Sequence, residues 1–484
     1  MRFSLLVGLL ATLLPSCSQK QTKAVRDPGA AGEAGAAGSG GEAGETAAAG
    51  AAGSAGSAGE AGAPSTGCIP PSGAGTTHRS ITAPETWTAA DSPHLVPFDI
   101  EINAQLTLEP CAVVLLAKQS TVTVSAGGSI VANGSAQQPV NIGAKDAAPW
   151  ASIRALDGGT LSFAYTTLSD GGDPLNAGAD LSGALDVRAD QNMPPAEILH
   201  VDHVTIADSA SQGVYLHESG AFSATSTELT ILGSKGYPIF ASANLAGTIP
   251  NGTYTGNGVD EILLSGTDVG TSIAAWDVTF ADLGVPYHVG TTAGSGRLDV
   301  GGNPKTKATL TIDPGVTLRF KKGGELTVDY LPGNTAASGT LIAVGTAKKP
   351  ITLTSAEPKP AAGDWLGVIF GGLPNATDQL DFVHVEFAGG ASTSGSSSCP
   401  YPGEPINDAA IRIYGAPQSA FITNSLISDS AAHGIDRGWA SDLQPDFLAD
   451  GTNMFARIAR CTQTTPKDKN NGGCKPDPDC PAAP

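Results

Sequence analysis

Apolar residues recur at every second position in short runs over residues 85 to 460. Leu310, Ile312, Val316, Leu318 and Phe320 form one such series, broken by Pro314-Gly315. Leu326 and Val328 follow Lys321-Lys-Gly-Gly324. The series continues through Leu341-Ile-Ala-Val344, Ile351-Thr-Leu-Thr354, residues 365–370 and residues 380–387. A period of two marks a strand with one face buried. Runs of about five residues, each closed by Gly, Pro or Asn, predict stacked coils of parallel strands. No stretch of 3.6-residue periodicity separates them, which excludes βαβ units. The expected class is all-β, a solenoid.

The series occurs twice. Leu106-Thr-Leu-Glu-Pro-Cys-Ala-Val matches Leu310-Thr-Ile-Asp-Pro-Gly-Val-Thr. Gly134-Ser-Ala-Gln-Gln-Pro139-Val matches Gly345-Thr-Ala-Lys-Lys-Pro350-Ile, and Trp150-Ala-Ser-Ile matches Trp365-Leu-Gly-Val. Gly171-Gly172 pairs with Gly389-Gly390, and Thr205-Ile-Ala-Asp-Ser209 with Leu426-Ile-Ser-Asp-Ser430. Upstream, Trp87 with Ser92-Pro-His-Leu-Val96 matches Trp276 with Val285-Pro-Tyr-His-Val289. The order holds while the offset drifts, as loop insertions such as residues 331–337 produce.

The front of the chain has another pattern. Arg2 precedes an apolar stretch, Leu5 to Leu14, of the length of a signal h-region and too short to span a bilayer. Leu14-Pro15-Ser16-Cys17 follows. It resembles the lipobox of bacterial lipoproteins, which implies that Cys17 is lipidated; Ser18 after it implies the outer membrane. Residues 27–66 are almost only Gly, Ala, Glu and Ser, too poor in apolar surface to offset the entropy of ordering. Glycine falls every third residue from 29 to 44 and from 50 to 62, but Ala47 interrupts the register and proline is nearly absent. The reading is a flexible stalk of roughly 35 Å as a coil, not a collagen-like triple helix.

The net charge of −20 argues against nucleic-acid binding through phosphate neutralisation. Of seven cysteines, Cys17 is assigned to lipidation. That leaves Cys68, Cys111, Cys399, Cys461, Cys474 and Cys480, an even set suited to three disulfides in an oxidising compartment. Cys68–Cys111 and two bridges among the last four are expected, although connectivity cannot be derived from sequence.

Residues 310–328, 339–355, 363–370 and 380–390 together resemble the repeat of extracellular lipoproteins built on a right-handed parallel β-helix, within the broad pectate-lyase-like superfamily. The resemblance spans most of residues 87–440. It implies architecture more than activity, because the superfamily holds lyases, hydrolases, adhesins and proteins without a known reaction. The resulting map is a signal peptide at 1–16, a lipidated N-terminus and linker at 17–67, β-helix halves at 68–270 and 271–460, and a cysteine-containing cap at 461–484.

Residues shared by both halves, such as Trp150 and Trp365 or Asp208 and Asp429, read as structural, so a site should lie in features unique to one half. Asp429, His433, Asp436 and Arg437 place acid, base and cation close together and are the catalytic candidates. The competing reading is an ordinary coil turn, since Gln212-Gly213-Val214 occupies the same place as His433-Gly434-Ile435. His200, Asp202 and His203 would need further ligands to hold a metal, with His200 and Asp202 on one strand face and His203 on the other. The resembling lyases hold calcium on clustered carboxylates, but no compact Asp-x-Asp block stands out in the body. The tail, Asp468 to Gly472 with Asp477 and Asp479, departs from the EF-hand pattern. No cofactor is therefore assigned, with calcium the one left open. Tyr254, Trp276, Tyr401, Tyr414 and Trp439 are candidates for stacking on sugar rings. The expected function is non-enzymatic binding or adhesion at the outer membrane or surface of a Gram-negative bacterium, with a polysaccharide or surface protein as ligand. The alternatives are a polysaccharide lyase or glycoside hydrolase, and a structural envelope component.

Overall fold

The computed structural model describes residues 67–174, 182–190, 194–265, 277–292, 296–301, 307–329, 338–392, 399, 407–449 and 451–470. The signal segment, Cys17, the stalk, Trp276, Tyr401, Cys474 and Cys480 lie outside the described residues.

The body is a right-handed parallel β-helix. Short strands stack into sheets of twelve, thirteen, five and five strands, with parallel ladders throughout the coils. Alternation is as the sequence requires. Val113–Leu116, Thr121–Val124 and Thr317–Phe320 each alternate half-buried with buried residues, the buried set pointing into one continuous core. Chain direction changes between sheets at single residues in the left-handed region. Tyr165, His203 and Glu228 (φ 43°, 54° and 51°) stack at one corner of the first half, and Phe382 and Asn424 (φ 51° and 49°) form a corner in the second. Asp208 and Asp429 (φ 55° and 53°) hold equivalent corner positions. Such residues cost backbone energy, so the stacked coils must hold them there.

The duplication is reproduced in atomic detail. Ser135 and Gln138 form a small antiparallel bridge, as do Thr346 and Lys349. Both Trp150 and Trp365 are fully buried, and each donates its indole N–H to a backbone carbonyl, of Ser169 at 2.8 Å and of Glu386 at 2.7 Å. The glycine pairing differs by one residue from the sequence expectation. Gly172 and Gly389 are the equivalents (φ 76° and 78°): a Cβ on either would meet the Oγ of Ser209 at 2.1 Å or of Ser430 at 2.3 Å. Those hydroxyls in turn donate to the carbonyls of Gln212 and His433.

The second half is turned by one face about the solenoid axis. In the first half, His94–Val96 and Val113–Leu116 belong to the twelve-stranded sheet. Their counterparts, Tyr287–Val289 and Thr317–Phe320, instead extend the thirteen-stranded sheet through Ile262–Ser265. The counterparts of Thr121–Val124, Ser152–Ala155, Gly183–Ala189 and Gln212–Glu218 are therefore displaced into a sheet of their own: Glu325–Val328, Gly367–Phe370, Ala409–Ile413 and His433–Arg437, led by Arg297–Val300. Homologous outer surfaces thus look in different directions.

Cys68 and Cys111 form a disulfide. Cys111 has φ 66°, where the second half has Gly315 at φ 94°. Cys399 and Cys461 are each disulfide-bonded. Past Trp439 the chain returns along the last coil. Gly434 and Ile435 donate to the carbonyls of Cys461 and Thr462, and Thr464 donates to that of Ile435. These bonds use the backbone groups that an open final coil would leave unpaired.

Candidate functional site

The catalytic candidates from the sequence are bound up in holding this terminal coil. Asp429 receives both nitrogens of an Arg457 fork, one at 2.6 Å. His433 is buried, and its Nδ1 accepts the backbone N–H of Cys461 at 3.2 Å. Burial, with Arg460 nearby, pushes this imidazole down to about 4. Asp436 is fully buried and accepts the Thr464 hydroxyl at 2.8 Å. Arg437 donates to the carbonyls of Thr464 and Pro445. Asp429 lies in the thirteen-stranded sheet and the other three in a five-stranded one. Each polar group is spent on the cap or on an ion pair.

The His200–His203 segment corrects a further expectation. The left-handed bend at His203 breaks the alternation, so its Nδ1 comes 2.6 Å from Asp202 Oδ1 and its ring stacks on Tyr165. His200 instead meets the Thr225 hydroxyl. Among the described residues no group of three or more His, Cys, Asp or Glu side chains is placed to hold a metal. Of the aromatic candidates, Tyr254 and Trp439 belong to the core, at 1 % exposure each, and Tyr414 is half-buried.

A different cluster lies on the outer face of the thirteen-stranded sheet. Register aligns Glu101, Thr123, Arg154, Asp186, Tyr215, Phe240, Leu263, His288 and Arg319 in one column across successive coils. Neighbouring strands stand about 4.8 Å apart. Asp186 is the centre, at 1 % exposure. Arg154 Nε lies 2.8 Å from its Oδ2, while His217 Nε2 and Arg188 Nε lie 2.9 and 3.5 Å from its Oδ1. Burial by itself raises this carboxyl. The bond and charge of His217 and the charges of the two arginines outweigh it and hold the group below the ordinary carboxylate range. Burial pushes His217 the other way, below the usual imidazole value. The result is an ionised aspartate held by an imidazole and beneath guanidinium groups whose side chains keep 36 and 41 % of their exposure.

Farther along the column the arrangement recurs. Glu261, 6 % exposed, meets His288 Nδ1 at 2.8 Å and pairs with Arg319. Burial raises its carboxyl, but His288 and Arg319 overcome that and lower it. Between the two centres Tyr215 stacks on Phe240 at 4.4 Å. Burial also raises the Tyr215 phenol to about 12. Phe240 and Leu263 are buried without belonging to the interior core. Chemically, the two buried carboxylates are committed to cations and imidazoles, and the column offers anchored N–H donors beside an aromatic ring, with Glu101 an exposed acid at its end.

The homologous column in the second half has other chemistry: Asp299, Thr327, Ile369, Arg412, Asp436. Arg297 Nε stands 2.6 Å from Asp299 and 3.3 Å from Glu325. Here burial prevails, and both carboxyls are raised. Glu325 corresponds to Thr121 in the first half, so the carboxyl pair occurs in one half alone.

Sequence reading missed both columns. Arg154 and His217 are 63 positions apart, and only stacking at coil spacing joins them. One signal existed, because Arg154 and Asp186 stand where the second half has Ile369 and Arg412, so they are unique to one half.

Residues 301–413 match the family model described as a pectate-lyase-like β-helix domain. No curated protein and no solved structure matches the chain significantly. No helix among the described residues is long and apolar enough to cross a membrane. A domain of this kind fits a carbohydrate-related surface protein. The matched segment lies within the coils of the second half, and coils of the same parallel construction precede it in the first; the chain is a pectate-lyase-like β-helix protein.

Proposed function

We propose that the chain is a lipid-anchored surface protein that binds a glycan on the outer face of its thirteen-stranded sheet without cleaving it. The observation that carries this reading is the Asp186 centre. Its carboxylate is surrounded by Arg154, Arg188 and His217, which keeps it ionised and so removes it as a proton donor, and which draws two part-exposed guanidinium groups to one place. Tyr215 beside them, packed against His217 and Phe240, offers its phenol end to a sugar. The exported, disulfide-formed chain is to be incubated with acidic and neutral polysaccharides, with and without calcium, and read for both binding and chain cleavage. Binding without cleavage, weakened in Arg154→Ala and Arg188→Ala, is the expected result. Cleavage of any member would sink the reading.

A second reading, a carbohydrate-active enzyme, has one observation in its favour. Asp299 and Glu325 are raised carboxyls on adjacent coils, joined through Arg297, and glycoside hydrolysis needs one carboxyl kept protonated beside another. Cleavage abolished by Glu325→Gln and retained in Arg154→Ala would establish it.

A further inference from the structure

Arg412 lies on the strand Ala409–Ile413, where Ile411 and Ile413 point into the core and Arg412 points out. It is nonetheless only 1 % exposed, one of the largest fully buried side chains in the protein. Its Nη1 donates to the Ser392 hydroxyl at 2.6 Å and lies 3.5 Å from Asp408 Oδ1. Ser392 passes the contact on, donating its own proton to the same Asp408 oxygen at 2.7 Å. These contacts fix the plane of the guanidinium. The remaining buried donors, Nε and Nη2, have no hydrogen-bond partner among the described residues. Nε–H and one Nη2–H lie on the same edge of the guanidinium, the fork that takes both oxygens of a carboxylate, sulfate or phosphate.

A buried cation with an unpaired fork is expensive, because the donors have lost water and gained nothing. The equivalent residue in the first half is Asp186, whose charge is met by two arginines and an imidazole. The same place in the fold can therefore hold a charge whose counter-charges lie beside it. Asp408 stands at Nη1 and Glu325 acts on Arg412 through its charge, but among the described residues no acid bonds Nε or Nη2. Asp436, adjacent in register, accepts the Thr464 hydroxyl, and Arg297 stands against Asp299 and Glu325. A cavity of about 190 Å³ lies nearby; Arg412 does not line it, but Asp408, the partner of Nη1, does, together with the Arg460 guanidinium and His433.

We infer that Arg412 is the anchor of a second binding site, for an oxyanion group, on the five-stranded sheet that ends in His433–Arg437. The inference is independent of the glycan reading and concerns another sheet. The ligand group is one that presents two coplanar oxygens: the carboxylate of an acidic sugar or an inorganic sulfate.

The test uses the full chain labelled with ¹⁵N-arginine. Sodium sulfate and sodium glucuronate are titrated separately against sodium chloride at matched ionic strength. The Arg412 Nε–H resonance, assigned by its loss in Arg412→Lys, is followed together with the melting temperature. A saturable shift with sulfate, glucuronate or both is expected, and which salt acts names the acid group. Arg412→Lys keeps the charge but loses the fork, and should weaken the response about ten-fold or more. Ser392→Ala leaves Arg412 in place, loosens its plane and should weaken the response by a smaller factor, which keeps the test alive if Arg412→Lys folds poorly. If neither salt moves the Arg412 resonance beyond chloride, or if Arg412→Lys responds as the wild type does, the site does not exist and the fork is served by water alone.

Discussion

Asp186→Asn is the sharpest perturbation of the proposed binding face. The side chain keeps its shape and loses the charge that two arginines and a histidine surround. Removing one partner from a buried ion pair costs roughly 3–5 kcal/mol. Here the arginine side chains are 36 and 41 % exposed and can rehydrate, so about 2 kcal/mol is expected at neutral pH. The pH dependence follows from the lowered carboxyl. A carboxylate whose folded value lies below its unfolded one stabilises the fold above the unfolded value, near 3.8, and that contribution disappears as pH falls through the folded value. The difference between wild type and variant should therefore be full at pH 7 and vanish on acidification below the ordinary aspartate range. The assay is amide exchange of the strands Ser152–Ala155, Gly183–Ala189 and Gln212–Glu218, because coils of a solenoid open locally and a global melt need not be two-state. Equal protection in variant and wild type at pH 7, or a loss of protection that persists unchanged in acid, would refute the assignment of Asp186 as an ionised, cation-held centre.

Trp150→Phe and Trp365→Phe should cost about the same, near 1–3 kcal/mol each, since each leaves a buried carbonyl without its indole donor; a large disparity in denaturant melts would argue against structural equivalence of the halves. Gly172→Ala and Gly389→Ala should each destabilise by about 1–3 kcal/mol, from left-handed backbone and the Ser209 or Ser430 hydroxyl in the way. Gly127→Ala shares the backbone penalty but meets open space and should cost less in the same melts. His433 is held near 4, below its unfolded value of 6.5. The unfolded chain thus takes the proton first, and the terminal coil should lose stability as pH falls from about 6.5 toward 4. Amide exchange of His433–Arg437 should show this in wild type and a flatter profile in His433→Gln.

Much of the fold was legible because it is written in short-range pattern. Period-two alternation in Thr317–Phe320 and the Pro314-Gly315 break give strand and turn directly, and the Trp150/Trp365 match survives into identical hydrogen bonds. The glycine pairing slipped by one because adjacent glycines look alike in sequence. In the structure they differ: Gly171 is needed against the Trp150 ring, which a Cβ would approach to 2.4 Å, whereas Gly172 is needed at the left-handed corner. The rotation of the second half was invisible, since it depends on which sheet the strand Ile262–Ser265 hands on to Tyr287–Val289. The site was hardest to see. Asp429, His433, Asp436 and Arg437 are close in sequence and drew attention for that reason, yet a β-helix assembles outer-face chemistry across coils. Arg154, Asp186 and His217 meet only because successive strands stack.

The most direct test of the central claim is polysaccharide binding by the wild-type chain and by Arg154→Ala/Arg188→Ala, with cleavage read in the same samples. The account predicts saturable binding of at least one glycan, no shortening of its chains, and loss of binding in the double variant while Glu325→Gln binds as the wild type does. Binding untouched by the double variant, or cleavage that Glu325→Gln abolishes, would contradict it.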